Sequence, residues 1–136
     1  MLNGIAHMSF VTSDIEKSLY YYCGVLGFKV IHRLNDDKDE PWLVYVRVNR
    51  REYLELFYGG TRKLPPMDHR AGAAHMCLEV DDVHAMEQRL IDCGAPVIWG
   101  GAKQGSDRNW QVWSEDPDGN KIEFMQIDPE SPQAKA

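Results

Sequence analysis

Hydrophobic and polar side chains alternate from Ile5 to Val11. Ala6, Met8 and Phe10 fall on one face of an extended chain, and His7, Ser9 and Val11 on the other. That alternation predicts a strand. The period then changes: Ile15, Leu19, Tyr22 and Leu26 recur at helical spacing behind a Ser13–Glu16 capping box, and Gly27 closes the helix. Three more strands are expected at about 29–34, 42–48 and 53–58.

The second half runs through the same order. A strand is predicted at 75–80, a helix from Asp82 to Cys93 stopped by Gly94, and strands near Val97, at 110–114 and at 121–127. Asp116-Pro117-Asp118-Gly119-Asn120 is a turn signal between the last two. Each half therefore reads strand, helix, strand, strand, strand. This gives an α+β fold of paired βαβββ modules within one domain spanning residues 1–136. Module 1 is expected at about 1–60, a linker containing Pro65 and Pro66 at 59–72, module 2 at about 72–128, and a loose tail at 128–136.

The repeat extends to individual residues. Ala-His-Met occurs at Ala6-His7-Met8 and again at Ala74-His75-Met76. Each histidine precedes a glutamate by 48 positions (55 − 7 and 123 − 75). Those glutamates, Glu55 and Glu123, sit in apolar strands with similar neighbours. A single strand histidine or glutamate is usually structural. Two His–Glu pairs at one spacing in a duplicated scaffold predict that each module supplies half of a site for one divalent metal, made of His7, Glu55, His75 and Glu123. Neutral imidazoles and ionised carboxylates suit nickel, cobalt, manganese, iron or zinc alike.

Bulk properties narrow the remaining choices. The chain has 136 residues, a net charge of −6 and dispersed Lys and Arg, which argues against nucleic-acid binding. No apolar run is long enough for a membrane span, and no signal peptide opens the sequence. Cys23, Cys77 and Cys93 read as reduced core residues of a cytoplasmic protein. His32 and His84 read as surface residues, and so does His69 in the polar linker.

The early histidine, Leu26-Gly27-Phe28 after the first helix, Leu54-Glu55-Leu56, His75, and Glu115-Asp116-Pro117-Asp118-Gly119 leading into Lys121-Ile122-Glu123 occur together in this order. Through them the chain resembles the vicinal oxygen chelate superfamily, and most of all the short bacterial form of glyoxalase I. The resemblance implies a lyase or isomerase that moves a proton between adjacent carbons through a metal-stabilised enediolate, with Glu123 the principal base and Glu55 its counterpart. It also implies a homodimer and a small-molecule substrate. Epimerases of the superfamily share this chemistry. Extradiol dioxygenases use two histidines and one carboxylate, and metal-free resistance proteins lack the ligand set, so Glu55 and the intact set disfavour both.

The chain departs from the glyoxalase pattern at the glutathione contacts. Val11 stands where an arginine is usual and Gly59 where an asparagine is usual. Glu79, four residues after His75, adds negative charge to the same strand face, as a rim residue pairing with Arg47 or Arg108 or as a substrate contact. Arg108, Asn109 and Gln111 are candidate substrate-binding residues in a polar, aromatic segment, with Asn109 and Gln111 expected on one strand face, where a sugar-like or small keto substrate fits as well as a glutathione adduct.

Overall fold

Eight strands among the described residues form two four-stranded mixed sheets. The computed structural model describes residues 1–61 and 71–136. The chain divides into two units, Met1–Lys63 and Leu64–Ala136, each with one sheet and its helix.

In the first unit β1 (His7–Val11), β2 (Lys29–Asn35), β3 (Pro41–Arg47) and β4 (Tyr53–Phe57) are ordered β1-β4-β3-β2. β1 runs parallel to β4, and the other pairs are antiparallel. Helix α1 (Ile15–Leu19) continues as a π-helical segment, Tyr20–Val25. The N-cap is Asp14, whose carboxylate accepts the Lys17 N–H at 3.2 Å, one residue later than the expected Ser13 cap. The wider π turn advances the buried face, so Tyr21, Tyr22 and Val25 all point inward, where a strict 3.6-residue stripe would bury Tyr22 and Leu26. They cover Val44, Val46, Leu54 and Leu56, and Phe10 stacks on Tyr22 at 6.0 Å.

The second unit repeats the plan. β5 (Met76–Glu79), β6 (Ile98–Gln104), β7 (Trp110–Glu115) and β8 (Lys121–Gln126) are ordered β5-β8-β7-β6, again with a parallel outer pair. Helix α2 (Val83–Asp92) is capped by Asp82, whose carboxylate accepts the N–H groups of His84 and Ala85. Gly94, at φ 67°, ends it in the left-handed conformation that glycine adopts at least cost. Val83 and Leu90 of α2 pack on Val112, Ile122 and Phe124. No helix among the described residues is long and apolar enough to cross a membrane.

Three hairpins share one turn. In 36–40, 105–109 and 116–120 the first N–H bonds the fifth carbonyl, and the fourth N–H bonds the first carbonyl. The fourth residue is left-handed each time: Asp39 at φ 64°, Arg108 at 73° and Gly119 at 90°.

Two expectations change. The tail at 128–136 is not loose in this structure: Ser131 is fully buried, and Asp128 and Gln133 hydrogen-bond Asn109. A terminal position suggested a loose segment, but the Asp128 N–H and the Gln133 side chain bond Asn109 and Asp107 in the body of the unit. The sixth strand begins at Ile98 and is interrupted by a bulge, because Trp99, Gly100 and Gly101 all have positive φ. The core of the linker, 62–70, lies outside the described residues.

Candidate functional site

In the first unit the face of the sheet turned away from α1 carries His7, Ser9, Tyr45 and Glu55. Register fixes their neighbours: Ser9 on β1 lies opposite Glu55 on β4, and Glu55 lies opposite Tyr45 on β3. Ser9 Oγ donates to Glu55 Oε2 at 2.7 Å, and His7 Nε2 stands 3.5 Å from the same oxygen. The Ser9 hydrogen bond holds the Glu55 carboxyl below its ordinary pKa. Desolvation opposes it, while the Tyr45 hydroxyl and the His7 charge add to the lowering. Tyr45 is pushed up in turn, chiefly by the hydrogen bond its hydroxyl donates to that carboxylate.

The second unit has the same row in different chemistry. Cys77 on β5 lies opposite Glu123 on β8, and Glu123 lies opposite Trp113 on β7. His75 Nε2 is 3.0 Å from Glu123 Oε2, with the histidine side chain 35% exposed and the glutamate 7%. Trp113 meets the His75 ring edge-on at 4.8 Å, and its indole N–H donates to Gln111 Oε1 at 2.7 Å. The Cys77 thiol is pushed up to about 12, first by desolvation and then by the Glu123 carboxylate it hydrogen-bonds. Although the residue as a whole is exposed, its sulfur sits against that carboxylate. It was expected in the core; alternation from His75 places it on the site face instead.

Each pair can supply two adjacent ligands to an ion. Two donors about 2.1 Å from a metal and at right angles to each other are about 3.0 Å apart. That is the His75–Glu123 separation, and His7–Glu55 is slightly wider. The same spacing serves a hydrogen bond when the histidine carries a proton on Nε2. Among the described residues no group of three or more His, Cys, Asp or Glu converges on one point, so each unit presents two donors.

The candidate substrate residues fall in different places. Glu79 is exposed on the same face as His75 and Cys77. Arg108 is exposed at the tip of the 105–109 turn. Gln111 lies on the site face, bound to Trp113. Asn109 does not share that face, contrary to expectation. It is fully buried, its amide nitrogen donating to Asp107 and Gln133 and its oxygen accepting from the Asp128 N–H. The residue precedes β7, so strand alternation does not govern it. His32 and His84 are on the surface as expected, and His69 lies outside the described residues.

Sequence reasoning missed Tyr45, Cys77 and Trp113 as neighbours of the glutamates. Only the cross-strand register identifies them. Trp99, at 4.9 Å from Trp113, extends the aromatic wall beside His75.

The sequence profile of the glyoxalase/bleomycin resistance protein/dioxygenase superfamily matches residues 4–124, and the chain belongs to that family. It is 28% identical over 126 residues to a probable lactoylglutathione lyase of Synechocystis, covering 90% of this chain and 94% of that one. It is 26% identical over 125 residues to the metallothiol transferase FosB of Lysinibacillus sphaericus, covering 90% and 82%. The crystal structure of a glyoxalase family protein from Enterococcus faecalis superposes with a TM-score of 0.78 at 18% identity, over 90% of this chain and 96% of that one.

Proposed function

We propose that the protein is a metal-dependent lyase or isomerase of the glyoxalase I type, acting on a small molecule with two adjacent oxygens. His7, Glu55, His75 and Glu123 together hold one divalent metal: nickel, cobalt or zinc. The observation that supports this reading most is the recurrence of a His–Glu pair at the same sheet position in both units, at 3.5 and 3.0 Å. The ion, when bound, acts as a Lewis acid on the substrate oxygens.

Glu123 Oε2 takes the proton from the carbon beside the carbonyl and returns it to the neighbouring carbon, so no atom is gained or lost. Glu55 is its counterpart. His7 and His75 complete the ligand set, and Trp113 backs His75 and limits water on that side. Relatives named lactoylglutathione lyase support the reaction class.

The substrate is a thiol adduct other than the glutathione hemithioacetal, or a hydroxy-ketone. Val11, 61% exposed, offers no charge to a glutathione carboxylate, and the exposed Glu79 repels one. The hydroxy-ketone case includes an epimerase, which needs the same base. The protein works as a homodimer in this reading, and its free cysteines go with a cytoplasmic location.

The test is isomerisation of hemithioacetals and hydroxy-ketones by the nickel-, cobalt- and zinc-loaded protein. Glu123→Gln should lower turnover at least about 10²-fold. Oxygen consumption on catechols without proton exchange would instead place the protein among the dioxygenases.

A further inference from the structure

The residues flanking the two glutamates break the symmetry of the repeat. Glu55 lies between two hydroxyls, Ser9 on β1 and Tyr45 on β3, and both donate to it. Glu123, at the matching position, lies between a thiol and an indole, Cys77 on β5 and Trp113 on β7. A thiol is a weak donor. The indole N–H is committed to Gln111. Hydroxyl-to-carboxylate bonds are charge-assisted and short, as the 2.7 Å from Ser9 to Glu55 is.

We propose that Ser9 and Tyr45 are positioning residues that pin Glu55 as the fixed anchor of the site, while the weaker donors beside Glu123 leave that carboxylate free to move. This rests on the metal reading above and explains which of two duplicated glutamates can leave its ligand position to carry a proton. A duplicated scaffold with two hydroxyl-pinned carboxylates would hold a metal firmly and lack a mobile base. One with two thiol-flanked carboxylates would lose the anchor. Divergence at just these four flanking positions supplies one of each.

The proposal is tested by equilibrium cobalt titration, followed by visible absorption, which requires no substrate. Glu55→Gln should weaken cobalt binding more than Glu123→Gln, by about tenfold or more. Ser9→Ala and Tyr45→Phe should each weaken it about tenfold. Ser9→Ala should add nothing in the Glu55→Gln background, because the hydroxyl acts only through that carboxylate. Cys77→Ser, which gives Glu123 a hydroxyl like that of Ser9, should tighten binding severalfold. Circular dichroism checks that each variant is folded, and Tyr45→Phe answers the question if Ser9→Ala is not. Equal or greater loss in Glu123→Gln, or an undiminished Ser9→Ala effect in the Glu55→Gln background, would overturn the proposal. A folded wild-type protein that binds no cobalt would overturn the metal reading and this inference with it. Cobalt binding indifferent to Ser9→Ala and Tyr45→Phe would overturn this inference alone.

Discussion

Asn109 holds Asp128: the side-chain oxygen of Asn109 accepts the Asp128 backbone N–H at 2.9 Å from a fully buried position. The amide nitrogen of the same side chain reaches Gln133 Oε1 at 3.1 Å, so one residue ties down the polar C-terminal segment. Asn109→Ala should cost about 1–3 kcal/mol of stability, the range for leaving buried polar partners unpaired. Limited proteolysis should then cut after residue 128, with substrate KM unchanged. Thermal melts and mass spectrometry of the digest check this. A change in KM with an intact tail would mean Asn109 contacts substrate.

Asp107 gives the same segment a pH dependence. Its carboxyl is held below the ordinary value of 3.8, first by the Asn109 side chain, against some desolvation, and then by Gln133. A lowered folded-state pKa contributes stability that is fully present above 3.8 and is lost as the pH falls through the depressed value. Hydrogen exchange of the Asp128 and Lys135 amides should be flat from neutral pH down to the ordinary Asp range and rise only below it, once corrected for intrinsic rates. Loss of protection near pH 6 would contradict the Asp107 link.

Asp116 closes the last hairpin by accepting the N–H groups of Asp118 and Asn120 at 3.0 and 2.9 Å, and the Asn120 side-chain amide at 2.7 Å. The residue is 3% exposed, so Asp116→Ala strands several buried donors. About 2–4 kcal/mol should be lost in chemical denaturation, because more than one bond is removed. The turn leads into β8, so Glu123 loses its support as well. A loss below about 0.5 kcal/mol would show that water replaces the carboxylate.

Arg108 pays for its left-handed backbone, φ 73°, where the matching turn residue is Gly119. Arg108→Gly should raise stability by about 0.5–1 kcal/mol, the net of relieved strain and added unfolded-state freedom. If Arg108 also contacts substrate, kcat/KM falls in the same variant. Unchanged kinetics would remove it from the substrate residues.

Much of the fold was legible because the two modules repeat one hydrophobic pattern. Seven of the eight strands lie within a residue or two of their expected bounds, and Asp82 caps the second helix where that helix was expected to begin, whereas the first cap is Asp14, one residue past the expected Ser13. The His–Glu pairs were legible as well, from spacing alone. What escaped depends on contacts distant in sequence. Tyr45 and Trp113 join the glutamates only through antiparallel register, the tail is fixed by Asn109 from outside its own segment, and the bulge at 99–101 arises from three consecutive left-handed residues. The π-helical turn escaped for a related reason: a stripe of Tyr21, Tyr22 and Val25 is not a 3.6-residue pattern.

The account rests on one divalent ion held jointly by the two His–Glu pairs, and metal stoichiometry tests it most directly. Protein purified without chelator, stripped and reloaded with nickel or cobalt should bind one ion for each pair of units, by elemental analysis. His7→Ala and His75→Ala should each lose at least about tenfold in affinity, as expected when one of four ligands is removed. Equal, full-affinity binding by wild type and both variants would contradict the assignment, as would a wild-type protein that retains no metal.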